Sequence, residues 1–203
     1  MPPKPKFTRE EVVEVALKLV SEKGMESLTA RELGERLGSS ARPIFTAFRN
    51  MEELTDAVRA AAMRKYDTYV GTALDYTPAF KRFGMQMVLF AAEEPNLFRL
   101  LFMRNNREQA NLSTLKNLLG PTRLLCLDAI AKDYQMSEKE AAAFFEHMWI
   151  FTYGLAVLCA TGMCQFSEEE LCTILGRQFM GAIGLMKSGR WDSRTPHPEI
   201  QNR

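Results

Sequence analysis

Apolar residues recur at helical spacing from the start of the chain, and residues that cap helices stand in front of them. Thr8 and Glu11 form a capping box, in which each side chain satisfies a backbone N–H at the helix start. Gly24 follows the apolar run and is predicted to end this first helix in a left-handed conformation. The predicted buried stripe of the helix is Val13, Ala16, Leu17 and Val20.

Two short helices are predicted to follow. Thr29 and Glu32 repeat the capping box and open the second helix, which Gly38 ends. Ser40 is predicted to cap the third helix. Pro43 would then lie in its first turn, where a missing N–H costs little.

The remaining elements are also predicted to be helices, so the fold class is all-α. A long fourth helix begins after a cap at Asn50 and Glu53 and reaches about Tyr69. There is no run of alternating β-branched residues and no Asn-Gly or Asp-Gly hairpin turn. Beyond residue 72, longer apolar helices separated by prolines and glycines are predicted over residues 79–94, 96–103, 110–132, 138–161 and 168–187.

Composition is that of an ordinary globular protein. Of 203 residues, 46% are apolar and 25% are charged. The formal net charge is only +1, so any surface for a polyanion must be a local patch. The uncharged stretch over residues 148–165 contains polar residues and is interpreted as a buried helix rather than a membrane span.

The N-terminus and the cysteines predict a cytoplasmic protein. No apolar run follows the basic residues of the N-terminus, as a signal peptide would require. Without a secretion signal, the four cysteines are expected as reduced thiols in a core. They are Cys126, Cys159, Cys164 and Cys172.

Residues 29–48 have the spacing of a helix-turn-helix, two short helices joined by a tight turn at Gly38. Arg42, Thr46 and Arg49 occupy positions i, i+4 and i+7, so they are predicted to share the outward face of the third helix. Arginine can bridge guanine O6 and N7, and threonine offers a hydroxyl and a methyl to base edges. Taken alone, these three residues would fit a solvated helix face. Because they lie within a segment that has helix-turn-helix spacing, DNA recognition is favoured.

Hydroxyls and cations around this segment are predicted to hold the DNA backbone. Ser39 and Ser40 at the start of the third helix suit phosphate oxygens, and Thr29 at the start of the second helix does the same. Basic residues would add an arm along the backbone or into the minor groove. They are Lys4, Lys6 and Arg9.

Segment 7–54 resembles the DNA-binding domain of tetracycline-repressor-like (TetR/AcrR) regulators. Such proteins typically carry Gly-Val-Ser, then Thr-Leu-Tyr-x-x-Phe, then Ser-Lys-Glu-Glu-Leu in this region. The corresponding residues here are Ser27-Leu28-Thr29 before the second helix, Gly38-Ser39-Ser40, Ile44-Phe45-Thr46-Ala47-Phe48, and Asn50-Met51-Glu52-Glu53-Leu54.

Three positions depart from the family pattern. Pro43 stands where Thr is common, Phe45 where a Tyr usually offers its hydroxyl to phosphate, and Met51 where a Lys usually does. By position, Pro43 and Phe45 join the DNA-facing set, and the alternative for Phe45 is a core residue. Each phosphate neutralised contributes about 0.9 to the log–log salt slope, so we expect a shallower salt dependence than in typical relatives.

The resemblance also implies an apolar effector site inside the C-terminal helices, and repression relieved by a small ligand, although some relatives activate. Phe and Met are dense between residues 80 and 153, and both can repack around varied ligands. The alternative for each residue is ordinary packing. The predicted pocket residues, four of them polar enough to orient a carboxylate, hydroxyl or carbonyl, are Met87, Phe90, Phe98, Phe102, Arg104, His147, Phe151, Thr152 and Tyr153.

Small residues on the last two helices indicate a homodimer, because they let helix backbones approach closely. In the family these helices usually build a four-helix bundle with the partner chain. The alternative is packing within one chain. The predicted interface residues are Gly154, Ala160, Leu171, Leu175, Gly181, Ala182 and Gly184.

We therefore predict a ligand-responsive regulator that binds a double-stranded DNA operator and does not associate with a membrane. Residues 1–50 form the helix-turn-helix domain, 51–190 an antiparallel helical bundle for effector binding and dimerisation, and 191–203 a loose tail. No nucleophile–base pair, phosphate loop or metal-ligand spacing is found, so no catalytic residue, metal or cofactor is predicted. The alternatives are an all-helical small-molecule-binding protein or enzyme that retains a helix-turn-helix without tight DNA binding, and a protein–protein adaptor.

Overall fold

The structure, a computed structural model, describes residues 6–103 and 119–191. Every regular element within these residues is a helix, as the sequence predicts. Two short 3₁₀ turns, Met25–Ser27 and Thr72–Asp75, connect α-helices. The α-helices are α1 (Arg9–Lys23), α2 (Ala30–Arg36), α3 (Ile44–Ala47), α4 (Met51–Gly71), α5 (Ala79–Glu93), α6 (Pro95–Phe102), α7 (Gly120–Tyr134), α8 (Glu138–Ala160) and α9 (Glu168–Lys187).

Most predicted helices begin and end within two residues of the observed bounds. The helix predicted over 110–132 begins at Gly120 in the described part of the chain. Residues 110–118, Lys4, Arg104 and most of the predicted tail lie outside the described residues.

The helix caps explain where α1, α2 and α4 begin. The capping box of Thr8 and Glu11 is present in full at α1. At α2, Thr29 accepts the N–H of Glu32, but the Glu32 carboxylate binds the ammonium of Lys23 at 2.6 Å. This ion pair between α1 and α2 replaces the second half of the predicted box. Asn50 caps α4 by accepting the N–H of Glu53 at 2.9 Å, as predicted.

The buried face of α1 differs from the predicted stripe. Val12 and Leu19 are buried, whereas Val13 and Leu17 are only half-buried. The face is rotated because α1 packs against α4 and α6 as well as α2 and α3. Gly24 has the positive φ that was predicted, but with φ 85° and ψ 171° it is extended rather than left-handed helical.

The predicted third helix is wrong in its start and its length. Helix α3 has only four residues, Ile44–Ala47, and Pro43 occupies its N-cap position. Ser40 therefore lies in the preceding turn, where it does not cap the helix. Phe48, buried beneath α3, has extended backbone angles that end the helix.

Helix α4 packs against helices that precede it and helices that follow it in the sequence. It contacts α1 near the N-terminus and α5 and α6 further along the chain. The predicted domain boundary at residue 50 therefore coincides with the start of α4 and not with a gap in packing. The division into domains remains a prediction.

Polar bonds tie α1 to the junction of α5 and α6. The carboxylate of Glu94 accepts from the Ser21 hydroxyl at 2.5 Å and from the Lys65 ammonium at 2.5 Å. The Asn96 amide donates to the Ser21 carbonyl at 2.8 Å. The last turn of α1 is therefore fixed to the larger group of helices.

The larger group of helices is built around α5 and α8, which lie against each other. Helices α7 and α9 pack beside this pair. The core here is rich in aromatic rings, including Phe80, Phe90, Phe144 and Phe145. Capping boxes at Ser137 and at Ser167, each with the glutamate three residues later, start α8 and α9.

Helix α8 is long and apolar enough to cross a membrane by length and composition. Ten of its side chains are buried against the other helices, which is the pattern of a core helix. The helix covers most of the stretch that the sequence analysis interpreted as buried.

The cysteines differ in exposure. Cys126 and Cys159 are buried, Cys164 is half-buried, and Cys172 is exposed. The expectation of a core position is therefore wrong for Cys172, which lies near the N-terminus of α9 beside Lys81.

Candidate nucleic-acid interface

The turn between α2 and α3 brings the two helices close together. Gly38 has a φ of +61°, which favours glycine, and the Ser39 N–H donates to the Gly34 carbonyl at 2.9 Å. A Cβ on Gly34 would lie 3.0 Å from the Ser40 carbonyl carbon and 3.1 Å from the Ala41 nitrogen. Gly34 therefore permits a close backbone approach. Sequence reasoning missed it because a glycine inside a helix carries no spacing signal.

The side chains predicted to read bases surround α3 and do not all lie on it. Thr46 is on the helix and exposed, whereas Arg42 lies in the turn before it and Arg49 lies beyond its end. The prediction of one shared helical face is therefore wrong, because α3 is too short to include all three. All three are nevertheless exposed, and Phe45 beside them is 48% exposed, so it is not a core residue.

The Glu53 carboxylate binds two of the predicted DNA-binding arginines. It accepts from Arg9 at 2.8 Å, from the Arg49 backbone N–H at 2.8 Å and from the Arg49 side chain at 3.2 Å. The Arg49 backbone bond, then the Arg9 and Arg49 side chains, lower the pKa of Glu53 to about 2. The carboxylate therefore stays ionised and holds the start of α4 against the exit from α3.

Arg9 links α1 to the end of α3 and to the start of α4. Besides its bond to Glu53, its guanidinium donates to the Ala47 carbonyl at 3.0 Å and lies 4.1 Å from the centre of the Phe48 ring. The structure thus gives Arg9 partners within the chain, and both hydrogen bonds come from Nη1 of a side chain that is 44% exposed. Its contact with phosphate remains a prediction.

The predicted phosphate-binding hydroxyls lie at the surface or close to it. Ser39 accepts a hydrogen bond from the Lys6 ammonium at 3.2 Å, and Ser40 is exposed. The Thr29 hydroxyl accepts the Glu32 N–H at 3.2 Å, which leaves its hydrogen available to an acceptor. Half-buried Pro43 leads into α3.

The geometry defines a class of protein: a small three-helix head with a tight α2–α3 turn and an exposed polar surface, the arrangement of helix-turn-helix domains. Residues 12–58 match the family described as bacterial regulatory proteins, tetR family. The tetracycline repressor protein class C of Escherichia coli is 41% identical over 58 residues. The N-terminal domain of this chain therefore belongs to the TetR family, as the resemblance implied.

The similarity to the class C repressor covers a minority of each chain. It covers 29% of this chain and 26% of the repressor, so the chain spans about a quarter of the length of the curated relative it matches.

A small cavity of about 30 Å³ lies among α4, α5, α7 and α8. Two of the predicted pocket residues, Met87 and Thr152, line it. Sequence reasoning did not select the other lining residues, although Phe80, Phe83, Gly84 and Met87 recur at i, i+3, i+4 and i+7 on α5. The complete lining is Tyr66, Phe80, Phe83, Gly84, Met87, Leu119, Thr122, Cys126, Phe145, Trp149 and Thr152.

The other predicted pocket residues lie elsewhere. Phe90, Phe98 and Phe102 are packed in the core, and the Tyr153 hydroxyl donates to the Phe102 carbonyl at 2.7 Å. His147 is exposed and bonds to Gln178 at 2.8 Å, because it faces away from the interior side of α8. Phe151 is half-buried and does not line the cavity, and Arg104 lies outside the described residues.

The predicted dimer residues divide into two groups. Gly154, Gly181 and Gly184 are exposed, and a Cβ on any of them would meet no atom within 4 Å. The other four pack within the chain, because they lie on the inner sides of α8 and α9; they are Ala160, Leu171, Leu175 and Ala182. Exposed apolar residues flank the glycines: Ile150, Met180 and Leu185.

Proposed function

We propose that this chain is a cytoplasmic DNA-binding transcriptional regulator, a homodimeric repressor that binds a palindromic operator and responds to an apolar small molecule. The observation that carries the proposal is the exposed surface around α3, where Arg42, Phe45 and Thr46 lie together in a TetR-family domain. Exposed groups of this kind read base edges in the major groove.

The chemistry of this surface supports sequence-dependent binding. The Arg42 guanidinium suits guanine, and the Thr46 hydroxyl and methyl suit several base edges. Phe45 has no hydroxyl for phosphate, but its ring suits the methyl group of thymine. Lys6 with Ser39 would hold the backbone.

Internal ion pairs limit the electrostatic contribution to binding. Arg9 and Arg49 are both bound to Glu53, whose negative charge opposes an approaching phosphate. Phe45 and Met51 also lack the usual phosphate-binding groups. The proposed complex should therefore show a shallow salt dependence, since few phosphates are neutralised.

The exposed glycines support a two-fold dimer. Gly154 on α8 and Gly181 and Gly184 on α9 leave room for helices of a second copy to approach closely. Met180 beside them is 68% exposed, which is unusual for a large apolar side chain on a monomer surface. Burying this face in a four-helix interface would place two heads on one side of a duplex.

Helix α4 supports a link between ligand and DNA. Near its start, Glu53 holds Arg49 beside α3, and 13 residues later Tyr66 lines the cavity. These positions are about 20 Å apart along a helix that rises about 1.5 Å per residue. A ligand that moves Tyr66 would therefore shift the start of α4, and with it the reading head.

Selection of bound sequences from random duplex DNA, using the full chain, tests the DNA proposal. We expect enrichment of a two-fold symmetric site with half-sites centred about ten base pairs, or about 34–36 Å, apart. Absence of enrichment would contradict the proposal and favour the helical small-molecule-binding alternative. An enriched asymmetric site would contradict the dimeric arrangement alone.

A thermal-shift screen of apolar compounds, followed by operator titration, tests the ligand response. Coupling of about 1–3 kcal/mol would change operator affinity about 5- to 150-fold, and DNA must change ligand affinity by the same factor. Compounds that stabilise the protein yet leave operator affinity unchanged would show that binding and regulation are separate.

A further inference from the structure

We infer that the interior cavity takes a neutral, mostly apolar molecule with an uncharged hydrogen-bond acceptor, and that the indole N–H of Trp149 donates to this acceptor. The inference rests on the proposed ligand response and gives that site a ligand class and a specificity-determining residue. A ketone, ester or ether oxygen would satisfy it.

The principal observation is an unpaired donor on a side chain that lines the cavity. Trp149 lines the cavity and is only 7% exposed. Its Nε1 is buried and has no hydrogen-bond partner within the described part of the chain. A buried donor without an acceptor is costly, because it has lost its bond to water and gained nothing in return. A ligand that supplies an acceptor removes that cost, whereas a pure hydrocarbon does not.

Two neighbouring hydroxyl groups have bonds of their own. The Thr122 hydroxyl, also in the wall, donates to the Asp67 carboxylate at 2.7 Å. The Tyr153 ring lies 5.4 Å from the Trp149 ring, and its hydroxyl donates to the Phe102 carbonyl at 2.7 Å. The indole N–H therefore stands apart from these bonds as a donor available to a ligand.

The described wall of the cavity is uncharged. Its titratable side chains are Tyr66 and Cys126, and burial raises the pKa of the Tyr66 phenol and of the Cys126 thiol. Both groups therefore stay protonated at neutral pH. A charged ligand would lose its hydration without gaining a counter-ion from this wall, so a neutral acceptor is favoured.

The ligand must enlarge the cavity that it enters. About 30 Å³ is the space of one or two water molecules, whereas a dry cavity that binds benzene is about 150 Å³. A second void of about 10 Å³ shares Phe80, Gly84 and Thr152 with the first. Displacement of the Phe80 and Thr152 side chains and of flexible Met87 would enlarge the first space towards the second, whose lining also includes Lys81.

Matched ligands that differ only in the acceptor test the inference on the full chain. We use cyclohexanone with methylenecyclohexane, acetophenone with α-methylstyrene, and benzophenone with 1,1-diphenylethylene, because each pair replaces C=O by C=CH₂ at nearly constant shape. We define the ketone preference as the affinity for the ketone divided by the affinity for its hydrocarbon partner, and expect it to be about 2- to 12-fold higher in the unaltered chain than in Trp149→Phe, the range of one net hydrogen bond. In Trp149→Phe the hydrocarbon affinity should be retained and the ketone affinity should fall, because the ketone still loses its bonds to water but meets no indole donor.

The indole proton gives a second readout that does not depend on a variant folding. The chain has two tryptophans, and Trp191→Phe assigns the two indole N–H signals and serves as the matched Trp-to-Phe control. We expect the ketone, and not its hydrocarbon partner, to move the Trp149 signal downfield. Trp191→Phe should keep the ketone preference.

The outcomes separate the two proposals. An equal ketone preference in the unaltered chain and in Trp149→Phe, with an unmoved Trp149 signal, would overturn the role of Trp149 and leave the ligand site standing. Failure of all six compounds to bind would overturn the ligand site and the donor together, and would leave the DNA proposal to its own test.

Discussion

At the scale of the residue, Gly34 and Arg42 have different roles around the same turn. Gly34 makes the turn possible, because the backbone of Ser40 and Ala41 fills the space in which a side chain would begin. Arg42 lies on the exposed side of the turn, where the domain would meet DNA. The first residue acts through stability and the second through binding, so their substitutions should give different results.

Gly34→Ala should lower the free energy of unfolding by about 1–3 kcal/mol, because backbone atoms at 3.0–3.1 Å cannot move aside as a flexible side chain would. Denaturant unfolding measures the effect. Gly71→Ala is the control, since a Cβ on Gly71 meets nothing within 4 Å. The control should be neutral or stabilising by up to about 1 kcal/mol. Equal stability of the two variants would contradict the close approach.

Arg42→Ala should cost about 1–3 kcal/mol in binding to the selected operator and relax the preference at one base position. Lys132→Ala on α7 removes the same charge from an exposed position far along the chain, and should leave binding unchanged. Fluorescence anisotropy titrations with matched and randomised duplexes compare the two. Unchanged affinity in Arg42→Ala would remove this residue from the reading surface.

At the scale of the element, Glu53 joins the start of α4 to the exit from α3 and to α1, 44 residues earlier in the sequence. Its carboxylate holds Arg9 from α1 and Arg49 from the exit of α3 while itself belonging to the first turn of α4. The orientation of the reading head relative to α4 thus depends on one ionised group. That dependence makes the head sensitive to acid.

The ordinary pKa of this carboxyl is 4.5, and in the folded chain it is about 2. A lowered folded pKa stabilises the fold above the ordinary value and loses that effect as the pH falls towards the folded value. Stability should therefore decline between about pH 4.5 and 2 more steeply in the unaltered chain than in Glu53→Gln. Glu52→Gln, the exposed neighbour, controls for charge. If the stability of the unaltered chain and that of Glu53→Gln declined in parallel as the pH falls, the stabilising role of the Glu53 carboxylate would be contradicted.

At the scale of the whole molecule, the exposed glycines of α8 and α9 favour assembly over intrachain packing. Inside a core, glycines would be covered by neighbouring side chains, yet nothing lies near the Cβ positions of Gly154, Gly181 and Gly184. Exposed Met180 and Leu185 lie close to these glycines in the sequence of α9. A second copy of the chain would cover both the glycines and the apolar side chains.

Gly181→Trp should therefore separate the chains without unfolding them, because the open space that accepts the indole in one chain is filled by the partner in a dimer. Sedimentation velocity at micromolar concentration measures the assembly, and circular dichroism checks the fold. Gly181→Ala should stay dimeric, since it adds one methyl group. A tryptophan variant that remains dimeric and binds the operator normally would place the interface elsewhere.

The sequence by itself determined the elements of this protein and the kind of N-terminal domain. Capping residues and apolar periodicity are local signals, so they predicted where most helices begin and end. The order and spacing of short motifs between residues 7 and 54 were sufficient to indicate the TetR family by resemblance.

Tertiary structure decided which side of each helix is buried and which side is exposed. The sequence predicted Arg49 on the reading face and Arg9 in a basic N-terminal arm, and only the fold brought Arg9 to Glu53, 44 residues away in the sequence. It also placed His147 at the surface and Trp149 in the cavity wall, two residues apart on one helix. Periodicity fixes positions relative to one another along a helix, but the helices packed around it determine which positions are covered, and those contacts join residues far apart in the sequence.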